Sequence, residues 1–137
     1  AEDLGLITPD VVALRDELGF PGMAIMLWAF GGPRDNPHRL ANHRENQVVY
    51  TSTHDMDTLA GSLPGEPIWP IVELALSSRA SLAILPVQDV LGLGSEAQMN
   101  HPGEVGAHNW TWQLEPGQLT LADAARLRAA AEAAHRA

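Results

Sequence analysis

Residues 21–32, PGMAIMLWAFGG, form a continuous apolar run with Pro and Gly at its start and two Gly at its end. Seven or eight apolar residues without alternation predict a strand buried on both faces, the pattern of a parallel sheet covered by helices. The flanking segments fit that reading. Upstream, ITPDVVALRDELGF (7–20) offers Thr8 as N-cap, Pro9 at the first helical position and Asp10 in the first turn. Val11, Leu14 and Leu18 repeat at helical spacing, and Gly19 supplies the stop. Downstream, QVVYTSTHD (47–55) predicts a second strand with a polar exit. IWPIVELALSSRA (68–80) predicts a helix with Trp69, Val72 and Leu76 on one face and Pro70 in its first turn. SLAILPVQDV (81–90) predicts a third strand, which runs into the Gly-rich loop LGLGSEAQMNHPG (91–103). Residues 104–119 read as irregular, and the Ala-rich end opens on Thr120 and Asp123, spaced as a capping box. Strands alternating with helices make this an α/β chain with a parallel sheet.

Composition narrows the function. The chain has 137 residues, 45% of them hydrophobic, with 17 acidic against 8 basic residues and a formal charge of −9. All the basic residues are Arg, and charging all six His would not reverse the sign. Such a chain is repelled by nucleic acid and by anionic membranes, both of which favour clustered positive charge. With no Cys, disulfides, zinc–thiolate sites and a cysteine nucleophile are excluded. The acidic start has no basic n-region, and no run approaches the ~20 apolar residues of a membrane span. The expectation is a cytoplasmic protein acting on something small or neutral. The first residue, Ala1, suggests processing or a longer parent chain.

In parallel α/β folds, functional side chains gather at the C-terminal ends of strands. The candidate ends are Phe30-Gly31-Gly32, Thr53-His54-Asp55 and Gln88-Asp89, with Glu2-Asp3 as the exit of a strand lying upstream. Paired carboxylates at such ends can divide acid and base roles. Glu2-Asp3 also fits a frayed acidic terminus, and His54-Asp55 a solvated loop. The four Trp and Phe30 are candidate sugar-stacking platforms or simply packing residues. His38, His43, His54, Asp55 and Asp57 form a rival set of metal ligands, without an H-E-x-x-H or EF-hand pattern. LGLGSEA lacks the phosphate-loop pattern and reads as a turn.

Three blocks carry a more specific signal: AEDLGLITPDVVALRDELGFPGMAIMLWAFGG (1–32), VVYTSTHDMDT (48–58), and LAILPVQDVLGLGSEAQMNHPG (82–103) with NWTWQL (109–114). In this order they resemble the C-terminal part of the 4-α-glucanotransferases, the amylomaltases or disproportionating enzymes of glycoside hydrolase family 77. The resemblance implies the C-terminal half of a (β/α)8 barrel over residues 1–137. It also implies retaining transfer of α-1,4-glucan segments to the 4-hydroxyl of an acceptor, without a cofactor. It gives Glu2 the general acid/base role and Asp55 that of a carboxylate holding sugar hydroxyls. His54, Asn100, Asp3 and Pro102 become substrate-binding residues, and the implied partners are α-1,4-glucans and maltooligosaccharides.

The sequence also departs from the family pattern. Met56 stands where the family has Asn and Ser52 where it has Gly, and the link near residues 61–66 is shorter by several tens of residues. The family's nucleophilic Asp lies in an R-x-D-H motif that does not occur in these residues. Retaining chemistry needs both nucleophile and acid/base, so this chain alone is expected to be inactive. A whole barrel takes ~250 residues, so the chain should require its missing N-terminal half or self-associate. The alternatives are a non-catalytic glucan-binding or interaction module and a metal-dependent hydrolase.

Overall fold

The structure is a computed structural model that describes residues 1–136. A three-stranded parallel sheet forms its centre, ordered β1 (Gly22–Ile25), β2 (Gln47–Tyr50), β3 (Leu82–Ile84). Gly22 pairs with Gln47 and Ile25 with Tyr50; Val48 pairs with Leu82 and Tyr50 with Ile84. Helix α1 (Pro9–Glu17) precedes β1, and α2 (Leu59–Ser62) and α3 (Trp69–Leu76) connect β2 to β3. Helices α4 (Val87–Leu91) and α5 (Leu121–Ala133) follow β3. Ala24, Met26, Val49, Leu59, Val72 and Ala75, all essentially inaccessible, form the centre of the core between sheet and α3. No helix among the described residues is long and apolar enough to cross a membrane.

The α/β order expected from the sequence is observed, and Pro9, Pro70 and the reciprocal Thr120–Asp123 capping box occupy the expected helix starts. The strands are shorter than expected. After Ile25 the chain tightens into a 3₁₀ turn at Met26–Trp28, with Met26 turned into the core and the Leu27 N–H donating to the Thr51 carbonyl. The parallel ladder ends where β2 ends, so the rest of the apolar run packs as a turn. Residues 87–90, expected to end the third strand, instead lie in α4, which follows Pro86. Nor is β3 covered on both faces, since Leu82 and Ile84 are 50% and 40% exposed.

The apolar stripe of α1 is also uncovered. Val11, Leu14 and Leu18 are 44%, 57% and 54% exposed, while Arg15 is the buried residue of the helix. Arg15 pairs with the Asp3 carboxylate and with Asp16. Helical spacing therefore identified the helix correctly but not the face turned to the sheet. That face carries a cation because Asp3 lies beneath it.

Two of the histidines proposed as metal ligands are structural. His43 is buried; its Nε2 lies 2.9 Å from the His38 carbonyl, which makes Nε2 the protonated nitrogen, and its Nδ1 accepts from the Ser78 hydroxyl at 2.7 Å. His38 Nδ1 accepts the Ile25 N–H at 3.1 Å. Burial lowers both imidazole pKa values; for His38 the nearby Asp3 opposes that effect and His43 adds to it. The fold thus favours neutral rings. Their contribution is complete above the unfolded value of about 6.5 and is lost as pH falls through the lowered native values. The urea midpoint should therefore drop between about pH 7.5 and about pH 5. His43→Gln, which keeps an acceptor and a donor, should make that drop shallower; an unchanged slope would remove His43 from the acid response.

Candidate functional site

The N-terminal segment is tied down beside β1. The Ala1 ammonium donates to the Pro21 carbonyl at 2.6 Å, and Asp3 accepts the Met23 N–H at 2.6 Å through one oxygen and Arg15 through the other. Between these anchors the Glu2 side chain is exposed and makes no hydrogen bond among the described residues. It faces a cavity of about 320 Å³, also lined by Tyr50, Thr53, His54 and Asp55. The exit of β2 and the start of the chain thus bring Glu2, His54 and Asp55, expected together from the sequence, to one hollow.

Asp55 is the best-organised carboxylate there. Its Oδ1 accepts Asn100 Nδ2 at 2.6 Å and lies 3.3 Å from His54 Nε2, while Oδ2 receives no hydrogen bond from the described residues. The Asn100 N–H in turn donates to the His54 carbonyl at 3.0 Å, so the loop after α4 is stitched to the loop after β2. The result is a partly exposed carboxylate with one oxygen fixed and the other unpaired among the described residues, suited to receiving hydroxyl donors from a ligand. Asp3 and Pro102 are placed differently. Both Asp3 oxygens are engaged, and Pro102 is exposed on the turn after His101, outside the cavity.

Asp89, read from the sequence as a strand-end candidate, is fully buried in α4. Its Oδ2 accepts the hydroxyls of Thr51 at 2.5 Å and Ser52 at 2.6 Å, and its Oδ1 accepts the Leu59 N–H at 2.8 Å. One carboxylate therefore grips both ends of the loop that carries His54 and Asp55. The Thr58 hydroxyl adds a bond to the Leu93 carbonyl at 2.7 Å, and Ser95 donates to Asp57 at 2.7 Å. Sequence reasoning missed this clamp because Asp89 was placed at the end of a strand.

Trp110, one of the four tryptophans read as sugar-stacking platforms or packing residues, lies beside this loop. Its ring centroid lies 5.2 Å from that of His54 at 39°, and its backbone adopts φ 62°. A bulky side chain in the left-handed region costs on the order of 1–3 kcal/mol. The sequence offered all four tryptophans alike as platforms or packing residues, with Trp110 in an irregular stretch and in the NWTWQL block.

The metal reading is corrected here. Among the described residues no three His, Asp or Glu side chains gather to hold an ion. His38 and His43 are engaged in the fold, and the Asp57 oxygens take the Thr58 N–H and the Ser95 hydroxyl. A larger hollow of about 520 Å³ around Asp3, Arg15 and His38 has these three groups already paired.

Comparison with known proteins now identifies the family. A family model described as 4-alpha-glucanotransferase matches residues 1–65 and 62–120. The chain belongs to the 4-alpha-glucanotransferase family. The chloroplastic/amyloplastic 4-alpha-glucanotransferase of Arabidopsis thaliana is 49% identical over 134 residues, covering 83% of this chain and 23% of that protein. The 4-alpha-glucanotransferase of Thermus thermophilus is 44% identical over 162 residues, covering 99% of this chain and 32% of that one. Among solved structures, an amylomaltase from Streptococcus agalactiae in complex with acarbose matches 99% of this chain and 31% of its own, with a TM-score of 0.91 and 28% identity. This member of the 4-alpha-glucanotransferase family thus spans about a quarter to a third of the length of the relatives it matches.

Proposed function

We propose that these residues form one side of the cleft of a retaining 4-α-glucanotransferase, as the C-terminal half of a (β/α)8 barrel. The observation that carries this reading is the shared hollow of Glu2, His54 and Asp55, with Asn100 holding Asp55. In the reaction, a carboxylate outside this chain attacks the anomeric carbon of the donor and forms a glycosyl-enzyme. Glu2 gives its proton to the departing glycosidic oxygen. Glu2 then takes the proton of the acceptor 4-hydroxyl as that oxygen displaces the enzyme carboxylate. Asp55 and His54 hold hydroxyls of the sugar at the cleavage point, where hydrogen bonds strengthen as oxocarbenium character develops. Asn100 steadies Asp55 and contacts substrate beside it, and the turn at Pro102 borders the path of the glucan. Asp3 serves as the anchor that fixes Glu2.

The uncovered stripe of α1 and the exposed Leu82 and Ile84 support a half-barrel, because a closed barrel would bury both. The missing half of the barrel, or a second copy of this chain, would cover them, and a cytoplasmic setting fits the same reading. The family model's two matches meet at residues 62–65, and the Thermus comparison spreads this 137-residue chain over 162 positions. Both support a shortening of this sequence near residues 61–66 relative to the family.

Two experiments test the reading. Incubated with maltotriose, the chain alone should yield no longer or shorter oligosaccharides. Grafted in place of the matching segment of the Thermus relative, it should give a protein that redistributes them. Redistribution by the chain alone, or a folded graft without activity, would overturn the half-barrel assignment. A chain that binds maltooligosaccharides while its graft stays inert would instead be a glucan-binding module.

A further inference from the structure

We infer that Trp110 is a stacking platform for a glucosyl ring of the bound glucan, flanking the ring that His54 and Asp55 hold; this rests on the glucan-site reading above. Four tryptophans are available, and the structure distinguishes among them. Trp28 meets His38 edge-on, with centroids 5.1 Å apart, and that histidine is engaged by the Ile25 N–H rather than by the site. The ring of Trp69 is capped by the Arg126 guanidinium at 3.8 Å. Trp112 is half-buried. Trp110, 61% exposed, is alone among the four in combining that exposure with direct contact to a residue of the site.

Its setting is also built rather than incidental. The Trp110 N–H donates to the Met99 carbonyl at 2.7 Å, next to Asn100, which is itself bonded to Asp55. The preceding residue, Asn109, accepts the His101 N–H at 2.9 Å and donates to the Glu104 carbonyl at 2.9 Å. These bonds hold the backbone in its left-handed turn and carry the indole to the rim beside His54. A largely exposed apolar ring kept in an unfavourable backbone conformation gains little from packing. It does suit a pyranose, which offers C–H groups on its face and hydroxyls at its edge. The face would lie on the indole while the edge meets the free Oδ2 of Asp55.

The test compares Trp110→Asn, Trp28→Phe and Asp55→Asn in the full chain, using maltotetraose titrated by calorimetry and thermal unfolding of the free protein. Asn accepts the left-handed conformation readily, so the loop should persist. The expected result is a roughly tenfold loss of affinity for Trp110→Asn with an equal or higher melting temperature. Trp28→Phe should bind like the parent. A lowered melting temperature for Trp110→Asn would make Trp110 a packing residue and overturn the inference. So would unchanged affinity while Asp55→Asn loses binding, an outcome that leaves the glucan-site reading standing. If the parent chain does not bind maltotetraose at all, both fail.

Discussion

Asp89→Ala should destabilise the chain by about 2–4 kcal/mol, because it strands buried donors at both ends of one loop. The Thr51 and Ser52 hydroxyls can rotate towards other acceptors, but the Leu59 N–H is fixed by the start of α2 and would be left unsatisfied. Against this, Ala relieves the desolvation of a buried charge, which keeps the expected loss below the sum of three charged hydrogen bonds. Asp89→Asn separates geometry from charge. Its carbonyl can keep the Leu59 N–H while its amide donates to the two hydroxyl oxygens, so the loss should be about 1 kcal/mol. Urea unfolding measures both values. The amide resonances of Thr53, His54 and Asp55 should shift strongly in the Ala variant and little in the Asn variant. A loss in Asp89→Ala no larger than in Asp89→Asn would show that the loop is held by something else.

Glu2→Gln, made in the graft on the Thermus relative, should lower kcat on the order of 10²–10⁴-fold. An acid/base acts in the transition state, so kcat and kcat/KM should fall together. Donors with a good leaving group need no proton in the first step, so they should still form the glycosyl-enzyme in this variant. Asp55→Asn should lose activity with every donor, since its contacts are to the sugar itself. A Glu2→Gln graft within about tenfold of the parent would remove Glu2 from proton transfer, because even modest acid/base catalysis exceeds that.

Much of the fold was legible because local signals are strong where backbone donors need satisfying. Pro9, Pro70 and the Thr120–Asp123 box mark helix starts for that reason. The length of β1 was not legible, since an apolar run records burial, and Met26 is buried in a turn as fully as Ala24 is in a strand. The exposure of Val11, Leu14 and Leu18 escaped for a related reason: periodicity says which residues share a face, not what lies opposite. In the site, the strand-end rule put Glu2, His54 and Asp55 at one end of the sheet, and the family resemblance supplied their roles. The commitment of Asp3 to Arg15 and the burial of Asp89 depend on distant partners that no spacing reveals.

The Asp89 clamp also has a consequence for divergence. Because a single carboxylate holds Thr51 and Ser52 at one end and Leu59 at the other, the span between them is fixed by its ends rather than its contents. Substitutions inside it, at Met56 for example, can therefore accumulate without changing its path. Ser52 contributes a further donor to the same grip. A library that randomises residue 56 while keeping Thr51, Ser52, Leu59 and Asp89 should therefore yield mostly folded variants. Changing the number of residues between those ends should not. The site thus has room to vary its selectivity without redesign of its scaffold.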